Sequence, residues 1–247
     1  MKTSTDPNTI ELESGVRSSA LTQVLKGMIV KGELEVGSSL PSERDLMVQY
    51  SVSRATIREA LRALGAQGLI EVRRGRRGGS FVCAPSHAQL SDSIDLFIAG
   101  HDIRFIDLLA VREAIEPVAA AQAALCRSEE QVAELDRLHE EFEKNIDDLA
   151  LFSSLNVDWH LAVVEASGNP LFLTMMRSIS SALYSATTRE EFDRPVREIV
   201  VKSHRRITDA IKEKDAESAQ RRMLRHVTSY KEKLDFTAEH QQLGISV

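Results

Sequence analysis

Cysteine is scarce in this sequence: among 247 residues only Cys83 and Cys126 are cysteines, and they form no Cys-x-x-Cys pair. Two cysteines are too few for a disulfide framework, so we expect free thiols. The chain also lacks any run of about 18 apolar residues, and its first residues lack the basic start and apolar run of a secretory signal. We therefore expect a cytoplasmic protein with no membrane partner.

Positive charge is scarce overall but not everywhere, because the formal net charge of −6 is unevenly distributed. Residues 17–80 carry a net charge of +5, whereas residues 81–247 carry −9. A short basic segment ahead of a long acidic one indicates two domains with different partners, the first of them a polyanion.

Three short helical patterns and a hairpin pattern follow one another in the basic segment. Apolar residues recur at helical spacing after Ser18, after the cap signal at Ser42, and from Arg54 onward. Residues 69–82 alternate apolar and polar side chains and break at Gly75, which predicts a β-hairpin. Three helices and a hairpin predict a winged helix-turn-helix. The resulting division is a flexible arm at 1–16, the winged helix-turn-helix at 17–84 and a linker at 85–91.

The start of the third helix carries the side chains expected to meet DNA. Arg54 and Arg58 can read guanine edges in the major groove, while the hydroxyls of Ser53 and Thr56 can hold phosphates. Arg44 is placed to touch the backbone, and the wing can enter a groove at its glycine. The alternative is a solvated face of arginines paired with helix neighbours. The full set of candidate DNA contacts is Arg44, Ser53, Arg54, Thr56, Arg58, Arg74, Gly75 and Arg76.

From residue 92 to residue 236 the pattern is helical throughout, which predicts an all-α domain followed by a tail at 237–247. The whole chain is therefore expected to be mainly α, with a winged helix-turn-helix before an antiparallel helical bundle. The predicted amphipathic segments are 92–100, 104–126, 129–147, 149–167, 170–189, 193–214 and 216–236.

Three histidines stand on apolar helix faces in this domain: His160, His204 and His226. Each alone is more typical of a core histidine bonded to a carbonyl group, but three in separate helices indicate a metal site. Asn156 lies one turn before His160, so its oxygen can join as a fourth ligand. The remaining histidines fit no cluster and are expected at the surface: His87, His101, His139 and His240.

The motifs Leu40-Pro41-Ser42-Glu43-Arg44 and Ser53-Arg54-Ala55-Thr56-Ile57-Arg58-Glu59-Ala60-Leu61 resemble the GntR superfamily of bacterial transcription regulators. Residues 92–236 resemble the metal-containing effector domain (FCD type) of its FadR-like subfamily. The resemblance implies metal ligands at the three histidines and at the position of Asn156, where the family usually has aspartate. It also implies that Arg112 binds the carboxylate of an effector; a plain helix pair with Glu116 is the alternative.

The resemblance further implies a non-enzymatic repressor of a catabolic or uptake operon. Such a protein is a homodimer that binds a palindromic double-stranded DNA operator. A small organic or sugar acid releases it from the DNA by binding at a divalent metal, most often zinc, with nickel and manganese as the other candidates. The alternatives are an activator, an architectural DNA protein, or a metal-dependent enzyme using the three histidines. No His-Glu-x-x-His motif supplies a general base, which argues against the enzyme.

Overall fold

The computed structural model describes residues 7–75, 78–101, 103–189 and 193–234, which form ten helices and a two-stranded antiparallel sheet. Among these residues, no helix combines the length and apolar character needed to cross a membrane. The chain divides into two compact units, Met1–Gln89 and Leu90–Val247. The elements are α1 (Pro7–Val30), α2 (Glu43–Tyr50), α3 (Arg54–Ala66), β1 (Ile70–Arg73), β2 (Gly79–Val82), α4 (His87–Gly100), α5 (Phe105–Cys126), α6 (Glu129–Lys144), α7 (Leu149–Ala166), α8 (Pro170–Arg189), α9 (Arg194–Lys212) and α10 (Ala216–Leu234).

The first unit is a winged helix-turn-helix, as its sequence pattern predicts. The Ser42 hydroxyl caps α2 by accepting from the Asp45 backbone N–H at 3.2 Å. Ser51 ends α2 in the left-handed region at φ 51°, and Ser53 then caps α3 by accepting from the Thr56 N–H at 3.2 Å. This tight turn between two capped helices fixes the start of the recognition helix α3.

The hairpin packs beside these helices and completes the unit. Strands β1 and β2 pair antiparallel with Ile70 opposite Val82, and an isolated bridge joins Ser39 to Phe81. Ile70 and Val82 are buried together with the apolar face of α3, so the wing and the recognition helix share one core. That core contains Leu21, Leu25, Leu40, Leu46, Ile57, Ala60, Leu64, Leu69, Ile70 and Val82.

The second unit is all helical and closely follows the predicted segments. Helix α5 packs along α10 and also contacts α7, α8 and α9. A stripe of alanines on α5 is fully buried, and such small side chains let neighbouring helices approach closely. Its members are Ala119, Ala120, Ala123 and Ala124. Helix α6 ends at Lys144, three residues before the predicted end.

Two segments differ from the sequence-based expectation. Residues 7–16, predicted to be a flexible arm, are the first part of α1, where Pro7 suits a first helical turn. Helix α4 starts inside the predicted linker because Ser86 and Gln89 form a capping box: the Ser86 N–H donates to Gln89 Oε1 at 2.8 Å and the Gln89 N–H to Ser86 Oγ at 3.3 Å. The predicted tail at 237–247 lies outside the described residues.

The prediction that His139 lies at the surface is wrong. His139 is 1% exposed on α6, and its Nδ1 has no hydrogen-bond partner. Burial is the main cause that lowers its pKa, so the imidazole is held in its neutral form. Its surface placement was predicted only because it fits no cluster of histidines in the sequence, and that says nothing about which helices cover α6.

Candidate functional site

The three predicted histidines meet at one point inside the second unit. His160 lies on α7, His204 on α9 and His226 on α10, and each is at most 7% exposed. Nε2 of His226 is 3.3 Å from Nε2 of His160 and 3.2 Å from Nε2 of His204. Because these atoms belong to different helices, helix packing rather than sequence proximity makes the cluster.

This donor set has the geometry of a transition-metal site. Zinc binds imidazole nitrogens at about 2.0–2.1 Å, so two nitrogens in a tetrahedral shell lie about 3.4 Å apart. Two of the three separations, 3.2 and 3.3 Å, fit this requirement closely, and all three ligand atoms lie within 4.8 Å of one another. Three nitrogens leave a fourth position for a further ligand, and imidazole suits zinc, nickel and copper.

Aromatic packing holds His204 in place. Its ring stacks on Trp159 with centroids 3.7 Å apart and planes 9° apart, and Phe142 lies on it at 4.9 Å. The indole Nε1–H of Trp159 donates to the Thr208 hydroxyl at 3.2 Å, which fixes the indole in turn. Nδ1 of His204 has no hydrogen-bond partner, so ring stacking sets the direction in which Nε2 points.

A small cavity, with room for about one water molecule, opens beside His160. Asn156 and Arg112, both predicted from the sequence as site residues, line it together with Glu116 and Ser180. The structure therefore brings the predicted effector residue and the predicted amide ligand to one side of the histidine cluster. Apolar side chains complete its wall: Val157, Leu161, Met176 and Leu183.

Arg112, Glu116 and His160 form a buried polar chain at the cavity wall. The guanidinium of Arg112 donates from Nε to Glu116 Oε1 at 2.6 Å and from Nη2 to Oε2 at 3.3 Å. The same Nη2 lies 2.7 Å from Nε2 of His160. Nδ1 of His160 is 2.7 Å from Glu116 Oε2, although without the alignment of a regular hydrogen bond. The helix pair foreseen as an alternative is present, and it also reaches the histidine cluster.

The positive charge of Arg112 and the negative charge of Glu116 offset each other at this wall in the absence of a ligand. Burial alone would raise the pKa of Glu116, but Arg112 and His160 together hold it well below its usual range. Burial lowers the pKa of His160, and burial followed by the neighbouring His226 lowers the pKa of His204 much further. Neutral imidazole, the form that binds metal, is therefore favoured at His160 and His204.

The predicted base-reading residues are exposed at the start of α3. The side chain of Arg54 is 71% exposed and that of Arg58 is 55% exposed. Glu43 on α2 pairs with both: Nε of Arg54 donates to it at 3.0 Å, and Nε of Arg58 lies 4.0 Å away. Arg44 is exposed on the same short helix α2. Arg44, Arg54 and Arg58 are thus all exposed on the surface of the helix-turn-helix.

Other predicted DNA contacts have different surroundings. Thr56 is only 2% exposed, and its hydroxyl lies 2.8 Å from that of Ser53, so the pair caps α3. Arg74 and Gly75 are exposed in the wing, and Gly75 has a φ of 114° that favours glycine. The predicted contact Arg76 lies outside the described residues. Arg73 pairs with Glu71 and lies over the Phe81 ring, so it is occupied within the wing.

Sequence reasoning missed four residues of these sites. Glu116 was read only as a helix partner of Arg112, and the role of Glu43 as a shared partner of two arginines was not foreseen. Trp159 and Ser180 were not proposed as parts of the site, and no spacing rule connects Ser180 on α8 with His160 on α7. The signal for Trp159 was its position next to His160 on a buried helix.

Comparison with known proteins agrees with this architecture. Residues 17–82 match the bacterial regulatory proteins of the gntR family, and residues 107–229 match the FCD domain. The HTH-type transcriptional repressors NanR of Salmonella arizonae and Salmonella typhimurium are each 31% identical over 219 residues, covering 86% of this chain and 82% of theirs. A solved structure of Streptococcus agalactiae GntR has a TM-score of 0.62 at 26% identity, covering 87% of this chain and 99% of its own. The chain belongs to the GntR family of transcription regulators, a family of DNA-binding proteins and not of enzymes, and it carries an FCD domain.

Proposed function

We propose that this protein is a repressor whose DNA affinity is lowered by a small carboxylic acid bound at a metal in the FCD domain. The meeting of His160, His204 and His226 beside a cavity lined by Arg112 is the observation that carries the proposal. The names of the NanR relatives support repression over activation.

The three histidines would hold a divalent metal, zinc before nickel or manganese, with Asn156 as the proposed oxygen ligand. A bound metal supplies a Lewis-acidic centre that attracts an anionic ligand. The amide of Asn156 is neutral, so it leaves the centre one charge more positive than an aspartate would. Because Glu116 already offsets Arg112, a carboxylate depends on the metal for most of its attraction to the cavity.

The exposed start of α3 and the exposed turn between β1 and β2 would contact an operator. Arg54 and Arg58 would read its base edges. Ser53, Arg44, Arg74 and Gly75 would contact the backbone or the adjoining groove, whereas Thr56 is buried and serves the cap of α3. A homodimer would place two such heads on a palindromic site, and the acid would shift the population of head arrangements away from the one that fits. The regulated genes would serve uptake or breakdown of the acid.

The proposal is tested by selecting DNA from a random pool with the full chain and measuring affinity by fluorescence anisotropy. A palindromic consensus is expected from a homodimer. Acids from a panel of small organic and sugar acids should weaken DNA binding by the zinc-loaded protein but not by a His204→Ala, His226→Ala double variant. Release of DNA to the same extent in the double variant would contradict a metal-dependent effector site.

A further inference from the structure

The Arg112 guanidinium and a metal at the histidine cluster would both need the single lone pair on Nε2 of His160. Nη2 of Arg112 approaches it at 2.7 Å, a hydrogen-bond distance, in a region where Arg112 is 3% exposed. A guanidinium can only donate, so Nε2 must accept, and the proton of the neutral ring must be on Nδ1 beside Glu116. A metal at the histidine cluster needs the same lone pair.

We propose that Arg112 and the metal compete for Nε2 of His160, so that metal binding releases one Arg112 N–H group into the cavity. The inference rests on the proposed metal site and adds a regulation of it. Glu116 and Arg112 have opposite effects here: Glu116 favours the tautomer that a metal requires, while Arg112 occupies the atom that the metal must bind.

The geometry allows the exchange without loss of the buried ion pair. Arg112 keeps its bond from Nε to Glu116 Oε1 at 2.6 Å when Nη2 leaves His160, so its position on α5 is retained. The released N–H lies at the wall of the cavity that Arg112, Asn156 and Ser180 line. A carboxylate there would meet a donor that is free only when the metal is bound. Metal and acid would then bind with positive cooperativity.

The test is the zinc affinity of the full chain, measured by competition with a chromophoric chelator without any carboxylate present. Arg112→Lys keeps the positive charge and a partner for Glu116 but has no second arm to bridge Glu116 and His160. We expect it to bind zinc about 10-fold more tightly, the scale of one charge-assisted hydrogen bond. Arg112→Met should also bind zinc more tightly, and if it does not fold, Arg112→Lys decides alone.

Two controls separate this inference from the proposed function. Arg177→Lys makes the same substitution on α8, in an ion pair with Glu165 of α7, and should leave zinc affinity unchanged. The His204→Ala, His226→Ala variant should lose zinc. If the wild type binds zinc and the double variant does not, but Arg112→Lys binds at wild-type affinity or more weakly, the competition is wrong and the metal site stands. If neither wild type nor Arg112→Lys binds zinc, the metal site itself is wrong.

Discussion

Replacing Trp159 by leucine is expected to weaken zinc binding, whereas replacing it by phenylalanine is not. Trp159 is fully buried and stacks on His204 at 3.7 Å, and the Nδ1 atom of His204 has no partner that would otherwise orient the ring. Phenylalanine preserves a stacking face but removes the donor to Thr208, so its cost is about 1–3 kcal/mol of stability. Leucine additionally removes the stack, worth about 0.5–1.5 kcal/mol.

Zinc affinity separates orientation of His204 from simple stability. Loss of a group that orients a metal ligand typically lowers affinity by about 10- to 100-fold, and we expect this for Trp159→Leu. Chelator competition gives the affinity, and urea denaturation without metal gives the stability. Thr208→Val removes the hydroxyl alone, so it should lower stability and leave zinc affinity unchanged. Equal zinc affinities for the leucine and phenylalanine variants would refute the role assigned to the stack.

Three further predictions concern other parts of the chain. Arg58→Ala should weaken operator binding by about 1–3 kcal/mol and relax its specificity, while Arg73→Ala, whose guanidinium is held within the wing, should change anisotropy titrations little. Burial lowers the pKa of His139, so protonation favours the unfolded chain: stability is complete above about pH 6.5 and falls below it. As the pH falls below 6.5, the free energy of unfolding from urea denaturation should therefore drop less for His139→Gln than for the wild type, by at most about 1.4 kcal/mol per pH unit. Gly68 has a φ of 68°, and an added Cβ would lie 2.0 Å from Gln89 Oε1. Gly68→Ala should therefore lower the free energy of thermal unfolding by at least about 1 kcal/mol. A second change, Gln89→Ala, should restore it only in part, because it removes the clash but not the unfavourable φ.

Local signals made much of the fold predictable from the sequence. Ser42 caps α2 as predicted, because a capping bond spans only three residues, while Ser53, predicted only as a phosphate contact, caps α3 in the same way. The apolar residues around His160, His204 and His226 likewise placed each histidine on a buried helix face. Buried faces of packed helices point to a shared interior, so the three rings could be expected to meet. The capping box of Ser86 and Gln89 was equally local and was overlooked.

Contacts between helices were much less predictable. Arg112 and His160 are 48 residues apart, and their 2.7 Å contact depends on how α5 and α7 cross, which residue spacing within one helix does not encode. The same holds for Trp159 and His204, which stack across α7 and α9. The burial of His139 also depends on the helices that cover α6, while its own neighbours in the chain are acidic.

The central claim is that the three histidines bind a metal, and metal content tests it most directly. The purified chain and its His204→Ala, His226→Ala variant are incubated with zinc, nickel or manganese, passed through a desalting column and examined by elemental analysis. Near-stoichiometric metal in the wild type and its loss in the variant are predicted. Absence of metal from the wild type, or equal metal in both proteins, would contradict the account of this site.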